Sequence, residues 1–237
     1  MSGEPHLIEI SGVSKEHGGV CPLRIASLVV NERDRRVITG LDQAAAETFF
    51  HLISGAALPD TGTILVAGAD TRTIATDTEW LLSLDRFGFM TNRAVLLESL
   101  GVAANLALPM TLSVDPMSAD VRAKVDALAD EVELSRNRLG LKVAALTPLE
   151  RTRLHLGRAL GPGPSLLLLE HPTDGLVNDI ERQAFGNTLR AAGLRRDVGW
   201  IALSNDAIFA RASGGRHEQL QPTTGELTRV RHWWFWN

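Results

Sequence analysis

The sequence has no tyrosine and only one cysteine, Cys21, among its 237 residues. A single cysteine forms no disulfide within the chain and excludes a cysteine-rich metal site. Basic residues are also scarce, with 24 Lys and Arg against 28 Asp and Glu and a formal net charge of −4. Because a general nucleic-acid binder needs a basic excess to neutralise phosphates, no nucleic-acid partner is expected.

Long apolar runs and targeting signals are missing as well. No apolar run reaches the roughly 18 residues that a membrane-spanning helix needs, and the polar residues 1–5 do not form a signal peptide. Hydrophobic residues nevertheless make up 44% of the chain and charged residues 22%. This balance favours a packed core over disorder, so we expect a soluble, intracellular, globular protein.

Short apolar strands alternate with helices along the chain. Strands are predicted at 7–13, 25–30, 37–39, 63–66, 87–90, 166–169 and 200–203, helices at 44–53, 148–160 and 179–192, and a hairpin from residue 216 onward. The middle, from about 102 to 160, is predicted to be helical because Val121, Val125, Leu128 and Val132 follow helical spacing. The pattern indicates an α/β fold with an inserted helical subdomain.

Five segments in order resemble the nucleotide-binding subunit of ABC transporters. They are 37–40 before a helix, 59–68, 146–150, 166–173 and 201–206. The resemblance covers nearly the whole chain and implies a P-loop NTPase-type core with an antiparallel β subdomain. It also implies one domain over 1–237, with its core at about 1–91 and 161–230, a helical subdomain at 92–160 and an aromatic tail at 231–237.

The phosphate-binding loop of that family, G-x-x-G-x-G-K-[ST]-T, is changed here. From Gly40 to Thr48 the chain has Gln43 and Ala45 in place of two glycines, Ala46 in place of the lysine and Glu47 in place of the hydroxyl that holds Mg²⁺. A carboxylate at a helix N-terminus satisfies the same N–H groups and dipole as a phosphate. We therefore expect Glu47 to fill the anion site, although residual nucleotide binding without hydrolysis stays open.

Other positions that the resemblance marks as functional differ too. The differences are Asn92 for the glutamine that reaches Mg²⁺ and water, Glu170 for the Walker-B aspartate, His171 for the catalytic glutamate, Val177 for the D-loop aspartate and Asn205 for the switch histidine. His17 stands near the position at which the family has an aromatic residue that stacks on adenine. Glu170 and His171 are either relics of the framework or a new acid–base or metal pair, and a metal site would need further ligands.

The signature LSGGQ corresponds to residues 146–150. Within it Thr147, Pro148, Leu149 and Glu150 follow Leu146. Pro148 and Leu149 replace the two glycines whose N–H groups contact the partner's γ-phosphate in the family, and proline has no N–H. Both halves of each composite nucleotide site are therefore weakened.

The resemblance and these changes together predict a non-catalytic pseudo-ATPase with a structural or regulatory role in an inner-membrane ABC complex. Expected partners are an ABC transmembrane subunit and a second nucleotide-binding subunit, either itself or an intact ATPase, and the expected location is cytoplasmic and peripheral on the membrane. Residues 105–110 resemble a stretch of transporters for lipids and lipoproteins. No cofactor is expected, and ATP and Mg²⁺ enter only if the chain is active.

Two alternatives remain open. One is a slow but genuine ATPase in which Glu170 holds the metal and the base is relocated. The other is a soluble interaction module of the same fold, detached from any transporter. Nucleotide titration separates the first alternative from the others, and copurification with a membrane protein separates a transporter subunit from a free module.

The tail contains Trp233, Trp234, Phe235 and Trp236 in a row. Because alternate side chains of an extended strand point to opposite faces, these four aromatics cannot all face one core. The tail is therefore predicted to dock on a partner, with packing on its own domain or contact with a membrane interface as alternatives.

Overall fold

The computed structural model describes residues 6–19, 21–91 and 93–230. The predictions for Asn92 and for the aromatic tail at 231–237 lie outside the described residues. Within the described ranges the strands are β1 (Ile8–Lys15), β2 (Leu23–Val30), β3 (Arg35–Thr39), β4 (Thr61–Val66), β5 (Ala69–Asp70), β6 (Phe87–Met90), β7 (Leu166–Glu170), β8 (Gly199–Leu203), β9 (Arg216–Leu220) and β10 (Leu227–Arg229). The α-helices are α1 (Gln43–Ile53), α2 (Asp77–Leu84), α3 (Val102–Ala107), α4 (Ala119–Glu131), α5 (Pro148–Leu160), α6 (Asp179–Arg196) and α7 (Ala207–Ser213).

Four strands form an antiparallel sheet in the order β2-β1-β4-β5. In β1, Ile8, Ile10 and Val13 are buried while Ser11 is exposed, which is the pattern of a sheet with one face on the core. This sheet packs on one side of α1, where Phe49 and Leu52 join the same apolar cluster. The antiparallel sheet that the resemblance implies is therefore present.

A second sheet has the order β10-β9-β3-β8-β7-β6. From β9 to β6 the neighbouring strands run parallel, and β10 is antiparallel at the edge. Every residue of β7 and β8 is buried because helices and the first sheet cover both faces. All the parallel strands end at one edge, so the loops that follow them are brought together there.

The middle of the chain is helical, as predicted. Val125, Leu128 and Val132 are buried and Val121 packs against the same cluster, which confirms the predicted stripe. The whole stripe faces α3 and α5, because the same cluster includes Leu106. The division into subdomains stays a prediction, since packing alone does not define it.

Helix α2 was not predicted from the sequence. Its N-terminus has a capping box, in which the Thr76 side chain accepts from the Glu79 N–H and the Glu79 side chain accepts from the Thr76 N–H. None of its side chains is buried, and the spacing of Thr76 and Glu79 is the sequence signal that indicates its N-terminus. Across the described ranges, no helix is long and apolar enough to cross a membrane.

Candidate functional site

The turn after β3 is fixed by Gly40. Its φ of +94° is unfavourable for other residues, and a Cβ there would lie 2.6 Å from the Leu220 carbonyl oxygen. The Gly40 N–H donates to Asn205 Oδ1 at 3.0 Å, and Asn205 Nδ2 donates to the Leu41 carbonyl at 3.4 Å. Asn205 follows β8, so these bonds connect the ends of two neighbouring strands.

The N-terminus of α1 is capped by Asp42. Asp42 Oδ1 accepts from the Ala45 N–H at 2.8 Å, which satisfies one of the free N–H groups of the first turn. Ala46, at the position of the family's lysine, is fully buried in the apolar cluster around α1. The first turn of α1 therefore carries a carboxylate cap and no cationic side chain.

Glu47 does not fill the anion site, so that expectation is wrong. Its carboxylate forms an ion pair with the Arg93 guanidinium and lies 3.8 Å from His51 Nε2. The free N–H groups and the dipole attract an anion at the first turn of α1. Glu47 is the fifth residue of α1 and lies past that turn. Thr48, beside it, donates its hydroxyl to the Ala44 carbonyl at 2.7 Å.

Gln43 and Glu170 join the loop to the end of β7. Gln43 Nε2 donates to Glu170 Oε1. The Glu170 residue is only 4% exposed, and a buried carboxylate requires such a donor. A cavity of about 260 Å³ adjoins this contact, with Glu47, Trp80 and Arg93 in its lining.

His171 has an unusual backbone and an unsatisfied ring nitrogen. Its φ is +41°, and its N–H donates to the Leu203 carbonyl at 2.9 Å. Its Nε2 is buried, and no partner for it is found among the described residues. The ring nitrogen therefore has hydrogen-bonding capacity that the described residues do not use.

The N-terminus of α5 is closed by its own side chains. The Thr147 hydroxyl accepts from the Glu150 N–H at 3.3 Å, and Glu150 Oε2 accepts from the Thr147 N–H at 2.9 Å. Burial raises the pKa of Glu150, but hydrogen bonds from Thr147 and Arg138 outweigh it and hold that pKa below its usual value. Pro148 is the first residue of the helix, and Leu149 packs on the core.

A cleft of about 520 Å³ lies between the ends of β6 and β7 and the first turns of α5. Its lining includes Met90, Thr91, Val95, Leu96, Glu98, Pro148, Arg151, Thr152, His155, Glu170, His171, Pro172, Asp174 and Gly175. Burial, followed by the charges of Arg158 and Arg151, lowers the pKa of His155 to about 4. At neutral pH the cleft therefore holds an uncharged imidazole.

The structure brings some of the predicted site residues together. Gly40 contacts Asn205, and Gln43 contacts Glu170. Pro148 shares the cleft with Glu170 and His171.

Other predicted site residues lie apart from this group. His17 accepts from the Gly19 N–H at 3.1 Å within its own turn. Val177 is 73% exposed, and its N–H donates to Glu181 Oε2 at 2.9 Å.

Sequence reasoning missed three residues of this region. Asp42 carries an N-cap signal, a short polar acceptor directly before a helix, and that signal was available in the sequence. Arg93 pairs with Glu47 across 46 positions, and His155 enters the cleft from α5. No local sequence pattern predicts either contact, because both depend on how distant segments of the chain pack.

The side chains of the loop are engaged by other residues of the chain. Ala46 supplies no ammonium group, and Glu47 is a carboxylate engaged with Arg93 instead of a hydroxyl. Gln43 bonds to Glu170, the residue at the position of the Walker-B aspartate.

Comparison with solved structures decides the fold. The dimeric structure of MJ0796, titled a bacterial ABC transporter cassette, superposes with a TM-score of 0.73 over 95% of this chain and 100% of that chain, at 19% identity. The chain has the fold of the ABC ATPase cassette. The post-hydrolysis form of MJ0796 bound to ADP and Pi matches over the same shares with a TM-score of 0.72. The predicted fold class is confirmed.

Sequence comparison agrees with this cassette fold. The lipoprotein-releasing system ATP-binding protein LolD of Shewanella denitrificans is 25% identical over 208 residues, covering 86% of this chain and 88% of that protein. The methionine import ATP-binding protein MetN of Caulobacter vibrioides is 30% identical over 196 residues, covering 81% of this chain and 57% of that protein. No family model matches. The chain is thus related to ATP-binding subunits of ABC transporters.

The prediction that no cofactor is needed is contradicted by these relatives. LolD and MetN are both named as ATP-binding proteins, and the MJ0796 cassette was captured with ADP and Pi. The prediction relied on side-chain identities in the loop. Backbone N–H groups of a loop also bind phosphates, and side-chain identities do not report on them.

Proposed function

We propose that the chain is a cassette subunit of an inner-membrane ABC transport complex and that it contributes structure or regulation instead of hydrolysing ATP. Its similarity to LolD supports a complex that handles lipids or lipoproteins. The dimeric form of the MJ0796 cassette supports pairing with a second cassette subunit. The other proposed partner is a transmembrane subunit, which places the chain on the cytoplasmic face of the membrane.

The arrangement of the loop carries this proposal. Enzymatic phosphoryl transfer depends on positioning and on cationic groups that stabilise the developing charge. Here the loop presents the buried methyl group of Ala46, and the Arg93 guanidinium is paired with Glu47. The amide of Gln43 engages Glu170. These contacts leave the first turn of α1 without the charge that hydrolysis uses.

The proposal concerns hydrolysis alone. The ATP-binding relatives suggest ATP with Mg²⁺ as the ligand of this chain. Nucleotide binding is compatible with a structural or regulatory subunit. Binding and cleavage must therefore be measured separately.

Slow hydrolysis is the second candidate function. It is favoured by the buried carboxylate of Glu170 at the end of β7 and by the ATP-binding names of the relatives. In this case Glu170 would hold the metal, and another group would replace the base that His171 does not provide. The two candidates differ in one measurable quantity, the rate of phosphate release.

The test is phosphate release by the purified chain with saturating ATP and Mg²⁺. We expect the wild type and the variant His171→Glu both to stay at the assay background. A restored general base contributes roughly 10²–10⁴-fold, but it acts only on a phosphate that is already positioned and neutralised. His171→Gln is the matched control, similar in size to glutamate and without a carboxylate.

Two outcomes would contradict the proposal. Phosphate release by the wild type above the level of a boiled sample would favour the slow ATPase. Release by His171→Glu above His171→Gln would show that the loop already positions the nucleotide. Copurification of an ABC transmembrane subunit from detergent-solubilised membranes tests the transport assignment, and its absence favours the detached interaction module.

A further inference from the structure

The cleft between β6, β7 and α5 is built to hold an apolar group. Met90, Leu96, Pro148 and Pro172 contribute much of its wall, and Val95, 63% exposed, stands in its lining. Its volume of about 520 Å³ lies within the range of sites that enclose a compact ligand, about 300–1,000 Å³.

The polar groups in the cleft specify what fits. His171 Nε2 is buried without a partner among the described residues, and the neutral imidazole of His155 lies in the same lining. An indole has one N–H donor and no acceptor, so it buries its ring against the apolar wall while its N–H donates to a carboxylate oxygen of the lining. The cleft thus offers an apolar wall and an acceptor to a tryptophan side chain.

The charges around the cleft favour a basic segment. Glu98, Glu170 and Asp174 line it together with Arg151, which donates to Glu98 at 2.9 Å. Carboxylates therefore exceed guanidinium groups in the lining. The 231–237 tail begins with Arg231 and His232 before its aromatic run, which matches this charge as well as the apolar wall.

The tail of the same chain is badly placed for its own cleft. Val230 donates its N–H to the carbonyl of His217 in β9. One row of paired residues then crosses the sheet from this point to the cleft: His217, Val37, Ala202, Leu169 and Met90. Five strand spacings of roughly 4.8 Å separate Val230 from Met90 by about 24 Å.

The chain also leaves Val230 in the wrong direction for its own cleft. Strand β10 is antiparallel to β9, so at Val230 the chain runs toward the amino ends of the parallel strands, whereas the cleft lies at their carboxyl ends. At about 3.4 Å per residue, the backbone of an extended chain spans at most about 10–14 Å from Val230 to Trp233 and Trp234 and about 20 Å to Trp236. The direct line also passes through the packed sheet, so the real path is longer. A tail that enters this cleft therefore comes from another molecule.

We propose that the cleft receives a tryptophan from the 231–237 tail of a second copy of this chain. This inference rests on the proposed pairing with a second cassette subunit and names the surface that would receive the tail. It makes docking reciprocal, because each copy contributes one tail and one cleft. Aromatic anchors buried in partner pockets are typical hot spots of protein interfaces.

Disulfide cross-linking in the full-length chain tests the proposal. In a Cys21→Ser background, chains with Val95→Cys are mixed with chains with Asn237→Cys, which keeps every aromatic of the tail. We expect a cross-linked pair at about tenfold or more the yield of the control pair, because docking raises the local thiol concentration. The control replaces Val95→Cys by Leu112→Cys, a residue that is 90% exposed and absent from the cleft lining.

Three outcomes would overturn the inference. The first is a yield equal to that of the control pair, and the second is failure of Trp236→Ser and Trp234→Ser to lower the yield. The third comes from a chain carrying Val95→Cys and Asn237→Cys together: cross-linking within one molecule at high dilution would make the chain's own tail the occupant. Phosphate release is measured separately on the wild type, so the proposed function and this inference fail independently.

Discussion

Protonation of His155 is expected to destabilise the fold. Burial and the neighbouring Arg158 and Arg151 lower the pKa of His155 from 6.5 to about 4. Between these two values the unfolded chain binds a proton that the folded chain does not bind. The free energy of unfolding therefore includes a contribution that is complete above pH 6.5 and is lost as the pH falls toward about 4.

The size of the effect follows from the two pKa values. With 6.5 for the unfolded chain and about 4 for the folded chain, lowering the pH from about 7 to about 5 removes about 2 kcal/mol of stability through His155 alone. That is a substantial part of the 5–15 kcal/mol by which typical domains are stable, roughly speaking. Carboxylates elsewhere in the chain add their own pH dependence.

A double difference isolates the contribution of His155. Urea unfolding is followed by circular dichroism at both pH values for the wild type and for His155→Leu. The other titrating groups contribute to both proteins and largely cancel, so the variant should lose about 2 kcal/mol less than the wild type. His6→Leu, at an exposed histidine, is the control. Equal losses in the wild type and His155→Leu would refute the argument that burial keeps this imidazole neutral.

Two further predictions concern stability at neutral pH. Thr147→Ala removes the side-chain acceptor of the Glu150 N–H and should lower the free energy of unfolding by about 1 kcal/mol; Thr147→Ser should retain most of it, and equal losses in the two variants would contradict the role of the hydroxyl. Gly40→Ala places a Cβ 2.6 Å from the Leu220 carbonyl oxygen at a φ of +94°. It should lower the free energy of unfolding by at least about 1 kcal/mol, and the melting temperature should fall with it. Gly175→Ala, with nothing within 4 Å of its Cβ, is the matched control, and an unchanged melting temperature of Gly40→Ala would contradict the close approach.

Much of the fold was determined by the sequence itself. The apolar runs of β7 and β8 indicate buried parallel strands, because a strand that is covered on both faces has no exposed polar positions. The strand at Phe87–Met90 was predicted with its observed bounds. Hydrophobic periodicity and turn residues act over a few neighbouring positions, so the elements that they define can be predicted without a structure. Helix α2 was missed although the spacing of Thr76 and Glu79 is the sequence signature of a capping box.

The candidate site was determined by the sequence only in part. The identities at Gly40, Ala46 and Glu170 could be read directly, and their order along the chain indicated the cassette fold before any coordinates. What each side chain does could not be read. Glu47 was placed at the anion site from its position near a helix N-terminus, but it pairs with Arg93 while Asp42 caps the helix.

Only the tertiary structure decided the contacts that define this region. Gln43 and Glu170 are separated by 127 positions, and Gly40 and Asn205 by 165. The cleft likewise exists only where β6, β7 and α5 meet, and it is there that burial keeps His155 neutral and leaves His171 Nε2 without a partner among the described residues. Sequence periodicity reports which face of an element is apolar. It does not report which distant side chains share a cavity, because that depends on the packing of whole elements.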